Sequence, residues 1–136
     1  MITALPVIVP FYAALLGILF IVLSSRVIKT RRQERIAIGD GDNPRLQRAI
    51  AVHNNFAQYV PLALLLLMFV EMQQAPVLIT HVLCLFLLVA RLLHAYGVGH
   101  MHENFRFRSI AMFLTFSVIG LSAVFLLAQA VYQMFY

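Results

Sequence analysis

Polar side chains recur at regular steps along one apolar stretch of the chain, residues 44–73. If this stretch is helical, steps of three, seven and four residues place them in one broad stripe. The stripe consists of Arg45, Arg48, Asn55, Gln58 and Tyr59. These residue types supply positive charge and hydrogen bonds, so they are candidates for holding a ligand. Because such a stripe cannot face lipid, we expect it to face other helices or a water-filled cleft.

Further along the chain, two pairs of polar residues are also candidates for a site. Arg91 and His94 are three residues apart and therefore share a helix face. Arg106 and Arg108 immediately precede the last apolar stretch. Each of these arginines can either extend to the lipid headgroups or point into the protein, and the residue pattern alone leaves both alternatives open.

The histidines do not form a convincing ligand set. Four of them gather towards one end of the apolar stretches and the fifth lies nearer the other end: His53, His94, His100, His102 and His81. Haem or metal would need two histidines facing each other across helices, and no H-x-x-x-H or E-x-x-H pair occurs inside an apolar stretch. We therefore predict no metal site, and we interpret Cys84 as a small buried apolar residue.

The composition fixes the environment of all these residues. Of the 136 residues, 62% are hydrophobic and 11% are charged, against about 45–50% and 25% in soluble domains. A soluble fold of this size could not cover its surface with so few polar groups, and intrinsic disorder fails for the same reason. The chain is thus expected to be a single domain, residues 1–136, embedded in a membrane.

Four apolar stretches are long enough to cross about 30 Å of hydrocarbon as helices. With their helical extensions they cover residues 2–25, 44–73, 76–98 and 108–134. The predicted fold is all-α, an integral membrane four-helix bundle. Asn43 and Pro44 are typical of an N-cap and a first helical residue, so the second helix should begin there.

The distribution of basic residues predicts the orientation. Seven of the ten Lys and Arg residues lie between Arg26 and Arg48, three lie between Arg91 and Arg108, and none lies at either terminus. The positive-inside rule therefore places loops 26–43 and 99–107 in the cytoplasm and both termini outside. Because the basic residues flank apolar stretches, they do not indicate nucleic-acid binding, despite a net charge of +5.

The stretch RAIAVHNNFAQYVP, from Arg48 to Pro61, resembles a known helix signature. It is similar to the second-helix motif of the membrane-associated proteins in eicosanoid and glutathione metabolism (MAPEG), which have an Asn, an acidic residue three positions later, often a Tyr, and then a Pro. The corresponding residues here are Asn55, Gln58, Tyr59 and Pro61. The later stretches ARLLHAYGVG and FRFRSI resemble bacterial branches of the family, which suggests a bacterial inner membrane.

The resemblance implies a homotrimer that binds glutathione between subunits near the cytoplasmic face. Asn55, Gln58 and Tyr59 would contact the tripeptide, and Arg91 and His94 would line the same cleft. An Arg near the start of the fourth helix would activate the glutathione thiol; Arg108 is the first choice and Arg106 the second. A lipophilic substrate would then enter from the surrounding membrane lipids.

Two residues depart from the family pattern. Ala51 stands where the family usually has an Arg, for which Arg48 is the substitute, and Gln58 replaces the acidic residue. Three functions therefore stay open. The chain is a glutathione-dependent transferase or peroxidase, a non-catalytic relative that binds a lipid or a partner protein, or a small haem or quinone electron carrier.

Overall fold

The computed structural model describes residues 5–99 and 105–135, and in these ranges the chain forms four helices and no strand. They are α1 (Ile8–Glu34), α2 (Pro44–Met72), α3 (Val77–Gly99) and α4 (Phe105–Phe135). All four are long and apolar enough to cross a membrane. The prediction of an all-α protein with four membrane-spanning helices is confirmed.

The start of α2 follows directly from its sequence. The Asn43 side-chain oxygen accepts hydrogen bonds from the backbone N–H groups of Arg45 and Leu46, each at 3.0 Å. Pro44 occupies the first turn, where its missing N–H leaves no hydrogen bond unmade. The predicted helix start is therefore confirmed, and Pro61 lies inside the helix as expected.

Helix α1 continues to Glu34, nine residues beyond the predicted end of the first span at Ser25. Charged residues end the part of a helix that can lie in hydrocarbon, but they do not end the helix itself. Arg31 and Arg32 in the last turn interact favourably with the negative end of the helix dipole. The helix stops at Arg35, which has a left-handed backbone conformation with φ 57°.

Helices α2 and α3 form the centre of the bundle. Each packs against the other and against both outer helices, whereas α1 and α4 do not contact each other in the described part of the chain. The core between them is apolar and includes Leu16, Phe56, Leu67, Leu87 and Val118. Any polar group that α2 and α3 direct towards each other or towards α4 is thereby withdrawn from lipid.

Glu71, near the end of α2, caps the start of α1. Its carboxylate accepts hydrogen bonds from the backbone N–H groups of Val7, Ile8 and Val9, each at 2.8 Å. The N-cap residue of α1 is Val7, whose side chain cannot accept a hydrogen bond. Glu71 thus supplies from another helix the acceptor that α1 lacks, a role that we did not predict from the sequence.

Candidate functional site

A buried arginine lies where α2, α3 and α4 meet. Only 2% of the Arg91 surface is exposed. Its Nη1 donates a hydrogen bond to Asn55 Oδ1 at 2.7 Å, and its Nη2 donates to Thr115 Oγ1. Arg91 therefore points into the protein and does not extend to the membrane surface, which decides between the two alternatives that the sequence left open.

The partners of Arg91 are held in place by their own contacts. The Thr115 hydroxyl donates to the backbone oxygen of Ala111 at 2.8 Å, so its lone pairs are free to accept from Arg91. The Asn55 amide nitrogen lies 3.6 Å from the sulfur of Met112. Three helices thus converge on one guanidinium group, and we call Asn55, Arg91, Met112 and Thr115 the buried arginine cluster.

This cluster has one polar atom without a partner. Arg91 Nε is buried and has no hydrogen-bond partner among the described residues. All hydrogen-bond partners of the guanidinium group within those residues are neutral. A buried cation held only by neutral groups is costly in free energy, which makes the position a candidate for function.

His94 follows Arg91 by one turn of α3 and shares its buried face. Only 4% of its surface is exposed. The resemblance placed both residues at one cleft, and the structure places both inside the bundle. His94 is closer than Arg91 to the predicted cytoplasmic end of α3.

The stripe predicted along α2 is divided by the fold. Asn55 joins the buried arginine cluster, whereas Gln58 is exposed and Tyr59 is half-buried. The Tyr59 ring packs edge-on against Phe116 of α4, with 5.5 Å between the ring centroids. In the single chain, the stripe therefore does not form one continuous polar surface.

Besides the buried arginine cluster, a polar pocket lies at the predicted cytoplasmic end of α2, α3 and α4. It has a volume of about 280 Å³, and its lining includes Arg48, Ala51, Val98 and Arg108. Arg48 Nη1 donates a hydrogen bond to the backbone oxygen of Val98 at 3.4 Å, which ties α2 to α3. We call this space the Arg48–Arg108 pocket.

The same pocket distinguishes the two arginines that precede the fourth span. Both Arg106 and Arg108 are exposed, but Arg108 lines the pocket together with Arg48, whereas Arg106 is not part of its lining. Ala51, in the lining, precedes Asn55 by one turn of α2. The Arg48–Arg108 pocket and the buried arginine cluster therefore follow each other along one face of α2.

Two of the histidines, His53 and His81, contact side chains of α1. His53 Nε2 lies 3.1 Å from the Ser24 hydroxyl and its ring stacks on Phe20, while His81 Nδ1 lies 3.5 Å from the Tyr12 hydroxyl. The two other histidines considered as ligands, at positions 100 and 102, lie outside the described residues. Within residues 5–99 and 105–135, no three His, Cys, Asp or Glu side chains are grouped so that they could hold a metal ion.

Two residues of the site were not anticipated from the sequence. Thr115 and Met112 lie in the apolar fourth span, where a single hydroxyl or sulfur does not stand out. The signal that could have identified Thr115 is its position in the buried stripe of α4, which also contains Ala111, Val118 and Ser122. A polar residue in that stripe is a candidate for a contact with a polar group of a neighbouring helix, and Thr115 meets Arg91 in this way.

Fold and site together define a class, namely a small integral membrane protein whose central helices enclose a polar cluster beneath an arginine-lined pocket. The sequence profile of the MAPEG family matches residues 9–128. The chain therefore belongs to the MAPEG family.

Two relatives support this assignment. The inner membrane protein YecN of Escherichia coli K12 is 38% identical over 108 residues, which cover 79% of this chain and 81% of that protein. The YecN protein of Escherichia coli O6:H1 matches with the same identity and coverage. No solved structure matches the chain. Like these relatives, the chain is an integral protein of the inner membrane.

Proposed function

We propose that the chain is a glutathione-dependent transferase or peroxidase that acts on lipophilic electrophiles. The observation that carries this proposal is the Arg48–Arg108 pocket, in which two cations from different helices line one cavity. Glutathione has two carboxylates and one ammonium group, and guanidinium groups bind carboxylates through paired hydrogen bonds. Family membership supports the same ligand.

In the proposed mechanism, Arg108 stabilises the glutathione thiolate. A free thiol is mostly protonated at neutral pH, and a nearby cation favours the ionised form, so the proton leaves to water. The sulfur then attacks the electrophilic carbon of a substrate that arrives from the bilayer, and the leaving group departs with the electrons of the broken bond. No nucleophile of the protein is required.

Gln58 and Tyr59 would act as hydrogen-bonding contacts for the tripeptide. Gln58 is exposed in the single chain, so a second subunit must cover it if the ligand is to be enclosed. A homotrimer provides that subunit, and the ligand would lie between neighbouring protomers. The glutathione would enter from the cytoplasm and the electrophile sideways from the lipid.

The test combines binding with turnover. We expect millimolar glutathione to raise the melting temperature of the detergent-solubilised protein. Arg108→Ala should reduce the conjugation of 1-chloro-2,4-dinitrobenzene by about 100-fold without changing the oligomeric state. Arg106→Ala is the matched control, because it removes the same charge two residues away, outside the pocket lining. A protein that shows no thermal shift with glutathione would refute the proposal.

A second candidate function is supported by a different observation. The Asn55 side-chain oxygen already accepts a hydrogen bond from Arg91 inside the chain, so part of its capacity to bind a ligand is used within the fold. Together with Ala51 and Gln58, this favours a non-catalytic relative that binds a lipid or a partner protein. Lipid that co-purifies with a protein inactive towards common electrophiles would support this candidate, and turnover would count against it.

A further inference from the structure

The crevice between α1 and α2 contains two cavities, one deeper in the bundle than the other. The first lies at the predicted cytoplasmic end, has a volume of about 270 Å³, and is lined by the cations Arg26, Lys29, Arg45 and Arg48. We call it the basic pocket. The second has a volume of about 330 Å³ and an almost entirely apolar lining that includes Gly17, Phe20, Phe56 and Pro61. We call it the apolar groove.

The basic pocket has the chemistry of a site for a phosphate ester. Arginine and lysine contribute four positive charges from two helices to the lining of this one cavity. Guanidinium groups match phosphate oxygens in geometry, and lysine binds phosphate as a point charge. The volume lies just below the range of about 300–1,000 Å³ that encloses a whole small-molecule ligand, so it suits a headgroup.

The position of the basic pocket points to a lipid as the source of that phosphate. Its first residue on α1 is Arg26, which directly follows the apolar run of the first membrane span. This is the depth at which the headgroups of the cytoplasmic leaflet lie, and anionic headgroups attract clusters of Lys and Arg there. The phosphate of a lipid in that leaflet therefore lies at the same depth as the pocket.

The apolar groove lies between the same two helices, nearer the centre of the membrane, and the contact of His53 with Ser24 and Phe20 lies between the groove and the basic pocket. Phe20, in the groove lining, precedes Arg26 by six residues, which corresponds to about 9 Å along the helix. An acyl chain that descends from a phosphate in the basic pocket would reach the groove within this distance. The crevice is thus charged at the headgroup level and apolar below it, like a phospholipid.

We propose that the α1–α2 crevice binds an anionic phospholipid of the cytoplasmic leaflet, with the phosphate in the basic pocket and an acyl chain in the apolar groove. This inference concerns the crevice between α1 and α2 and not the proposed glutathione site, although Arg48 belongs to the lining of both. It predicts that lipid charge, rather than lipid in general, stabilises the protein.

The buried thiol of Cys84 provides the readout, because a thiol with 0% exposure reacts with a fluorogenic maleimide only when the protein unfolds. The full chain in a neutral detergent is heated with added phosphatidylglycerol, with phosphatidylcholine, or with inorganic phosphate. We expect phosphatidylglycerol to raise the melting temperature by several degrees and the other two to leave it nearly unchanged.

Charge variants test the basic pocket. Lys29→Gln combined with Arg45→Gln removes two of its four cations and should weaken the apparent affinity for phosphatidylglycerol by about 30-fold. Arg32→Gln combined with Arg35→Gln removes the same charge from neighbouring exposed positions outside the pocket lining. This control should retain the response to phosphatidylglycerol.

A glycine variant tests the apolar groove. A Cβ atom added at Gly17 would meet nothing within 4 Å, so the side chain of Gly17→Leu can begin there and extend into the groove. Gly120→Leu is the matched control, because a Cβ at Gly120 also meets nothing and the residue lies on α4. We expect Gly17→Leu to abolish the stabilisation by phosphatidylglycerol and Gly120→Leu to leave it intact.

Several outcomes would overturn the proposal. An equal response to phosphatidylcholine would show a lipid effect without headgroup recognition, and an equal response to inorganic phosphate would assign the pocket to a soluble anion. If both charge variants lost the response alike, the effect would come from overall charge. If Gly17→Leu instead changed the oligomeric state in light scattering, the groove would be a contact between copies of the chain.

Discussion

Glu71 and Arg91 are charged side chains on the two central helices, and their hydrogen-bond partners differ. Glu71 accepts three backbone N–H hydrogen bonds at 2.8 Å at the start of α1. Arg91 lies between α2, α3 and α4, with neutral partners and a buried Nε that has no partner among the described residues. The carboxylate caps a helix, whereas the guanidinium group joins three helices through neutral partners.

The difference separates a charge that stabilises a helix from a charge that is a candidate for function. The first N–H groups of a helix have no partners within it, and the positive end of the helix dipole favours an anion, so Glu71 resolves a problem that α1 creates. Within the described part of the chain, Arg91 neither caps a helix nor pairs with a carboxylate. Because membrane proteins rarely retain such a cation without use, Arg91 is a candidate functional residue.

Removal of the Glu71 carboxylate should have the largest effect on stability. We expect Glu71→Ala to lower the free energy of unfolding by about 3 kcal/mol, because three backbone donors lose a charged acceptor. In a chain of this length the melting temperature should fall by about 10 °C. Glu34→Ala, at the exposed end of α1, should change it little, and a similar fall in both variants would contradict the capping role.

Replacement of Arg91 should reverse this pattern. Arg91→Met keeps a similar volume and removes a buried charge, a change that is often neutral for stability. We expect glutathione conjugation to fall by at least about 10-fold while the melting temperature stays within about 5 °C. If the variant instead unfolds as readily as Glu71→Ala and the folded fraction keeps its activity, Arg91 is structural and the contrast disappears.

The hydroxyl that holds Arg91 should have a smaller effect. Thr115→Val preserves the shape of the side chain but removes one acceptor of the guanidinium group, at a cost of about 1–2 kcal/mol. Ser122→Ala is the matched control on the same buried stripe, because its hydroxyl has no hydrogen-bond partner within the described residues. Equal melting temperatures for the two variants would show that the Arg91–Thr115 contact contributes nothing.

The smallest effect on stability is expected at Gln58, where Gln58→Glu introduces a carboxylate that, unlike Glu71, caps no helix. Gln58 is exposed, so Gln58→Glu should alter the free energy of unfolding by less than about 0.5 kcal/mol. If the ammonium group of glutathione lies beside it, the affinity should rise about threefold, as for an exposed ion pair. Gln74→Glu, in the turn after α2, is the control, and isothermal titration with glutathione provides the measurement.

The sequence predicted those parts of the fold that depend on local pattern. The start of α2 at Asn43 and Pro44 and the four apolar spans depend on neighbouring residues, and all were confirmed. The first span was predicted to end at Ser25, and the helix itself continues to Glu34, because charge ends the part of a helix that lies in hydrocarbon but not the helix.

The sequence could not predict contacts between distant parts of the chain. Glu71 meets residues more than 60 positions away, and Arg91 meets Asn55 and Thr115 on two different helices. Such pairings depend on how each helix is rotated about its axis, and small polar residues in a nearly uniform apolar span barely constrain that rotation. The choice between Arg106 and Arg108 was open for the same reason.

Arg48 borders both the Arg48–Arg108 pocket and the basic pocket, so a single guanidinium group stands between two compartments. Two anions on either side of it would compete for one positive charge. By thermodynamic reciprocity, each would weaken the other by the same factor. The headgroup composition of the surrounding leaflet would then set how strongly this protein holds a water-soluble anion, without any change in its shape.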